Sequence, residues 1–273
     1  MLPFRPWLRA KEQSSPRRGP AVHIASLAAL AMASLFQPVC IPVAEAAASR
    51  AYCPGIHFDS RYYRKKARNL AWVKRHPLTR VMFIGNSITR HAPDANLGWN
   101  NHWGMAASAP DRDWVHRVQL YLSIDQAKPV DISVFSTDIP WVDRDFEALR
   151  TALEAFRPEV AIIQIGDNAR SDAAAEFKGP FAKLLALTAG YTTRLYLLNT
   201  WKLSYELPAT GIYMRQMAEA YRAKFIDIAW LYLNPYNRAS AEPYCANAPG
   251  VDPNVCWHPG DTGMQAIAAE VCR

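Results

Sequence analysis

Five short apolar runs punctuate the chain: Arg80–Ile84, Asp131–Phe135, Val160–Ile165, Arg194–Leu198 and Lys224–Ile228. Each is short and bounded by Gly, Pro, Asn or Asp, the pattern of a buried strand. Between the runs, apolar positions recur at helical spacing. Arg61–Arg75 precedes the first run, and Asp113–Ala127 follows it with Trp114, Val118, Tyr121 and Leu122 on one face. Arg144–Phe156 comes next, ended by Pro158, and Asp172–Thr188, Thr210–Ala223 and Thr262–Cys272 complete the series. Strands alternating with helices predict an α/β protein, a three-layer α/β/α sandwich around a five-stranded parallel sheet.

In such a sheet, sites gather beyond the carboxyl ends of the strands. The pattern puts Gly85–Ser87 after the first strand, Gly166–Asn168 after the third and Asn199–Trp201 after the fourth. A Pro- and Cys-rich stretch, Asn234–Trp257, follows the fifth and leads to His258. Segments far apart in sequence are thereby expected on one face.

The N-terminal pattern differs. A basic region ends near Arg18, an apolar stretch runs from Ala21 to Phe36, and Ala44-Glu45-Ala46 and Ala46-Ala47-Ala48 offer Ala-x-Ala cleavage sites. This reads as a secretory signal over residues 1–46, followed by one domain over 47–273. The apolar stretch is short for a span of roughly 20 residues, so no stable membrane insertion is expected after cleavage, and the protein is expected to be secreted or periplasmic.

Charge adds little. Five of the 31 basic and two of the 24 acidic residues lie in 1–46, which leaves the remainder with an excess of only four positive charges. The basic run Arg61–Arg68 reads as a solvated helix face, so nucleic acid is not an expected partner. Cysteine says more. After cleavage Cys53, Cys245, Cys256 and Cys272 remain, an even count that favours two disulfides in an exported protein. The favoured pairing is Cys245–Cys256, closing the Pro-rich loop, with Cys53–Cys272 tying the termini. There is no Cys-x-x-Cys spacing, which argues against zinc.

The candidate chemistry lies in three stretches: Phe83-Ile84-Gly85-Asn86-Ser87-Ile88-Thr89, Ile165-Gly166-Asp167-Asn168 and Trp257-His258-Pro259-Gly260-Asp261-Thr262-Gly263-Met264. A serine is a poor nucleophile until a base takes its proton, and His258 is the natural base for Ser87. A developing oxyanion needs donors already in place. The candidates are the Ser87 N–H, the Gly104 N–H from the long loop His91–Pro110, and the Asn168 side-chain amide.

In order and content these stretches resemble the SGNH/GDSL hydrolase superfamily. Gly85-Asn86-Ser87 is similar to its Gly-Asp-Ser block, Gly104 to its loop glycine, Gly166-Asp167-Asn168 to its Gly-x-Asn block, and His258-Pro259 to its terminal Asp-x-x-His block. The resemblance covers nearly all of residues 47–273. It implies a flavodoxin-like SGNH fold, a carboxylic-ester hydrolase working through an acyl-serine, and no metal or organic cofactor. There are two departures. Asn86 replaces the usual Asp beside the nucleophile, and Val255 stands where the acid of the triad belongs. Either Asp252 reaches the imidazole from a rearranged loop, or a backbone carbonyl or water orients the ring in a Ser–His dyad, the arrangement favoured here.

Trp99, Trp103, Trp141, Trp201 and Trp257 fall in predicted loops on the same face, where aromatic rings suit sugar rings. Arg90, His91 and Arg170 lie beside the motifs and are placed to meet an anionic group. The expected partner is a small acyl ester or an acylated saccharide. Two rivals are acyl transfer to a glycan hydroxyl at the same site, and a non-catalytic glycan-binding protein with a degenerate site.

Overall fold

The structure, a computed structural model, describes residues 78–136, 143–169, 175–201, 208–246 and 250–273. The expected signal segment, the expected helix Arg61–Arg75, Cys53, Trp141 and Arg170 lie outside the described residues.

The five apolar runs are strands: β1 Arg80–Gly85, β2 Asp131–Ser136, β3 Val160–Gln164, β4 Arg194–Leu198 and β5 Lys224–Ile226. They form one sheet in the order β2-β1-β3-β4-β5, every pairing parallel, which is the flavodoxin-like doubly wound order. The helices are α1 Trp114–Gln126, α2 Asp143–Phe156, α3 Ala175–Ala189, α4 Pro208–Ala220, two short ones, α5 Pro243–Ala246 and α6 Pro253–Cys256, and α7 Asp261–Val271.

Side-chain alternation along β1 explains the layering. Val81 and Phe83 face one side, where they pack with Trp114, Val115 and Val118 of α1 and with Met264, Ile267 and Val271 of α7. Met82 and Ile84 face the other, against Phe146, Leu149 and Leu153 of α2, Phe181, Leu184 and Leu185 of α3, and Met214 of α4. Covered on both faces, β1 and β3 need apolar residues at every position, which is why they read as unbroken runs. β5 stops two residues short of the expected Ile228. Asp227 there turns its carboxylate to the Asn199 side chain (3.0 Å) and the Ala229 N–H (3.2 Å).

A third, smaller cluster lies above the sheet's carboxyl end. Trp99, Met105 and Ala106 of the long loop pack with Ala239 and Val255. No helix among the described residues is long and apolar enough to cross a membrane.

Candidate active site

β1 ends at Gly85, and the chain turns at once. The N–H groups of Thr89 and Arg90 both donate to the Asn86 carbonyl (2.8 and 2.9 Å), which leaves Ser87 at the head of a tight, half-buried turn. Gly85 is required there, because a Cβ would lie 2.1 Å from Thr89 Oγ1 and 2.5 Å from the Gln164 carbonyl oxygen on the neighbouring strand.

His258 is delivered by the stretch after β5. The Asp252 side chain accepts from the Asn254 N–H (2.7 Å) and caps α6, and a Cys245–Cys256 disulfide fastens α6 to α5. The Val255 side chain is buried in the small cluster, so its carbonyl is turned toward the histidine. That oxygen accepts the His258 N–H (3.1 Å) and lies 3.0 Å from Nδ1. A carbonyl can only accept, so the proton of the neutral ring sits on Nδ1 and Nε2 keeps its lone pair. Nε2 lies 2.8 Å from Ser87 Oγ, across 171 residues of sequence. That distance is within the reach a proton transfer requires. The backbone around it is pinned: Ala239 N–H donates to the His258 carbonyl (2.9 Å), and Gly260 N–H to the Asn237 carbonyl (3.0 Å).

The other expected residues divide. Asp252, the expected acid, caps α6, and the group that His258 Nδ1 donates to is the Val255 carbonyl. Gly104 also departs from expectation. Its N–H donates to the buried Asp113 carboxylate (3.2 Å), which withdraws it from the oxyanion donors. The glycine itself is still needed, because a Cβ would come within 2.7 Å of the Ile88 carbonyl. Gly85 is paired with Gln164, so the loops leaving β1 and β3 emerge side by side and carry Ser87 and Asn168 out together. The Ser87 N–H and the exposed Asn168 amide donate to no other described residue.

The sequence pattern assigns the tryptophans to a sugar site. Trp99 is 5% exposed and Trp201 wholly buried, so both are core residues. Trp103 is half-buried, edge-on to Trp99 (centroids 6.1 Å apart), and donates to the Ala107 carbonyl (2.8 Å). Trp257, also half-buried, stacks on the His258 ring with centroids 3.9 Å apart and planes 24° from parallel. Cys272 is half-buried, and its expected partner Cys53 falls outside the described residues.

Three groups at or behind the site have roles that the sequence reading did not assign. The first is the Val255 carbonyl. The second is Asp113, which caps α1 through the His116 N–H (2.8 Å), binds His116 Nδ1 (2.8 Å) and holds Gly104. That side-chain bond raises the His116 pKa above 6.5, against the opposing effect of burial. An Asp three residues before His116, at the start of a predicted helix, is the one sequence signal for the cap. The third is Asp167, which accepts from Gln164 Nε2 (2.7 Å) and from the Trp201 N–H (2.7 Å) and so ties the loops after β3 and β4 together. Among the described residues, no three His, Cys, Asp or Glu side chains are grouped to hold a metal ion.

No family model matches the sequence, and no curated protein matches it. Solved structures do. The tail fiber protein gp63.1 of an E. coli phage superposes with a TM-score of 0.52 at 16% identity, over 75% of this chain and 27% of that one. A two-domain esterase (CEX) active on acetylated mannans gives 0.51 at 13% identity, over 76% of this chain and 52% of that one. TesA gives 0.49 at 16% identity, over 71% and 96%. The described residues therefore share the α/β fold of the tail fiber protein and the acetyl-mannan esterase, the architecture that the resemblance to SGNH hydrolases implied.

Proposed function

We propose that the chain is a serine esterase of the SGNH type, exported, acting on short acyl esters, with an O-acetylated saccharide as the preferred substrate class. One observation carries this reading: Ser87 Oγ lies 2.8 Å from the unprotonated Nε2 of a histidine whose Nδ1 is anchored on a carbonyl. The likeness in fold to an esterase whose name records activity on acetylated mannans adds support for the substrate class.

In the first half of the reaction, Nε2 takes the Oγ proton while Oγ attacks the ester carbonyl. Negative charge moves onto the carbonyl oxygen, where the Ser87 N–H and the Asn168 amide are its donors. Nε2–H then protonates the departing alkoxide, leaving an acyl-serine. Water repeats the sequence: its proton goes to Nε2, its oxygen adds to the acyl carbon, and the Ser87 oxygen leaves with the returned proton. No step calls for a carboxylate to take a proton.

Turnover of a chromogenic acetate ester, measured beside Ser87→Ala and His258→Ala, tests the reading. Each variant is expected to lose nearly all turnover, because the two act as a unit. An inactive native protein in which a fluorophosphonate leaves Ser87 unlabelled would refute the reading.

A further inference from the structure

On the esterase reading of Ser87 and His258, which any role for their neighbours presupposes, taking the serine proton turns His258 into an imidazolium. The residue is only 3% exposed. A triad enzyme stabilises that cation with a carboxylate. Here Nδ1 meets the Val255 carbonyl at 3.0 Å, a dipole with no net charge. A second group lies against the ring itself: the Trp257 indole, stacked face on at 3.9 Å. The face of an indole is the negative end of its quadrupole, and tryptophan is the strongest of the aromatic partners for a cation.

Trp257 is held from behind. Its carbonyl accepts the Trp201 Nε1–H at 3.1 Å, and Trp201 is wholly buried. The Trp201 backbone N–H is bound in turn by Asp167, and its ring is edge-on to Tyr232 at 5.8 Å. The indole therefore stacks on the imidazole from an anchored backbone.

We propose that Trp257 is a positioning residue whose indole face orients His258 and stabilises its imidazolium, supplying part of what a carboxylate supplies in a triad. Three acids and one arginine on nearby described segments make contacts of their own. Asp252 caps α6, and the Glu242 carboxylate sits by the backbone of Asp261 and Thr262. Asp261 accepts from Ser108 N–H (2.9 Å) and Oγ (2.6 Å), and the Arg238 guanidinium lies over Tyr232 at 5.0 Å.

The sign of one shift decides the matter. A tryptophan that merely excluded water would disfavour the cation, so removing it would raise the histidine's pKa. A tryptophan that stabilises the cation does the reverse. The experiment is an NMR titration of the His258 ring in the native protein, Trp257→Leu and Trp257→Phe. It is run beside the pH profile of kcat/KM on a chromogenic acetate ester.

Trp257→Leu is expected to lower the His258 pKa by about half a unit to one unit, to move the acid limb of the profile the same way, and to cut kcat about three- to tenfold with KM little changed. Trp257→Phe should fall between, and it carries the test if the leucine variant does not fold. An unchanged or raised pKa in the folded variants overturns the proposal. So does a rise in KM with kcat and the acid limb unmoved, which would make the ring a substrate contact. The titration needs no turnover. Failure of the esterase reading, seen as an inactive and unlabelled native protein, is therefore distinct from failure of the role given to Trp257.

Discussion

The Val255 carbonyl oxygen lies 3.0 Å from Nδ1 of His258, at the sequence position where a triad would place its aspartate. The replacement is stereochemical. A buried valine side chain faces away into the cluster with Trp99 and Met105, and the backbone dipole takes the ring. A carbonyl fixes the tautomer and orientation of the imidazole as a carboxylate does, but it brings no formal charge.

It follows that Asp252→Ala leaves kcat within a few-fold of native. The aspartate caps a four-residue helix, so its loss costs about 1 kcal/mol of stability. Steady-state kinetics and a thermal melt on the same preparation separate the two effects. A fall in kcat of about a hundredfold or more with the fold intact would restore Asp252 as the orienting acid.

Asp113 should prove a hub between the loop around Gly104 and α1. It is buried and accepts from Gly104 N, His116 N and His116 Nδ1. Asp113→Ala leaves buried donors unmatched and is expected to cost about 2–4 kcal/mol, read as a shift in denaturant midpoint. The pH dependence has a definite sign. The His116 pKa is raised by its bond to Asp113, so this pair's stabilisation is complete below about 6.5 and declines as pH rises through the folded-state value. The half-exposed imidazole keeps the effect small. Chemical melts of native protein and His116→Gln across roughly pH 5.5–8.5 should show the slope in the native protein alone.

Gly104 separates two roles that the sequence merges. Its amide is bound by Asp113, so it is not an oxyanion donor here, yet a side chain has no room. A Cβ would lie 2.7 Å from the Ile88 carbonyl and 3.1 Å from Asp113 Cβ, and the first of these is backbone that cannot step aside cheaply. Gly104→Ala is expected to destabilise by about 1–3 kcal/mol and to displace the Ser87 turn through the Met105 N–H to Ser87 carbonyl bond (2.8 Å). Asn168→Ala should instead leave the melt unchanged and lower kcat by about two to three orders of magnitude, the usual cost of one oxyanion donor. The reverse pattern in the two variants would exchange their roles.

The architecture was legible because β1, β3 and β4 are pressed between two layers of helices, which leaves apolar runs with abrupt polar ends. The meeting of Ser87 with His258 was legible from motif order alone, since each motif follows the carboxyl end of a strand. The Cys245–Cys256 bond was legible because few residues separate the two cysteines. What failed to show was whatever depends on how a loop folds back. Trp99 and Trp201 have the sequence context of site residues and the surroundings of core residues. The capture of the Gly104 amide by Asp113 joins a loop to a helix cap, and no spacing rule connects them. The role of Val255 belongs to its backbone, which every residue shares, so side-chain chemistry could not single it out.

Glu242 offers a test in the opposite sense, a substitution expected to stabilise. Its carboxylate sits by the backbone N–H groups of Asp261 and Thr262 at the start of α7, just beyond His258, and they favour its charged form. Burial, and then the neighbouring charge of Asp261, raise its pKa. A carboxylate raised in this way contributes most when protonated, so its contribution is full below about 4.5 and is lost as pH rises through the folded-state value. Glutamine keeps an oxygen for the two donors and removes the charge. Glu242→Gln should therefore match the native protein near pH 4 and melt higher at about pH 7–8, by an amount on the order of 1 kcal/mol or less. Turnover should stay near native, because Gly260 and the helix start keep their contacts. A glutamine variant that melts lower at neutral pH would mean that the charged cap outweighs both burial and the repulsion from Asp261.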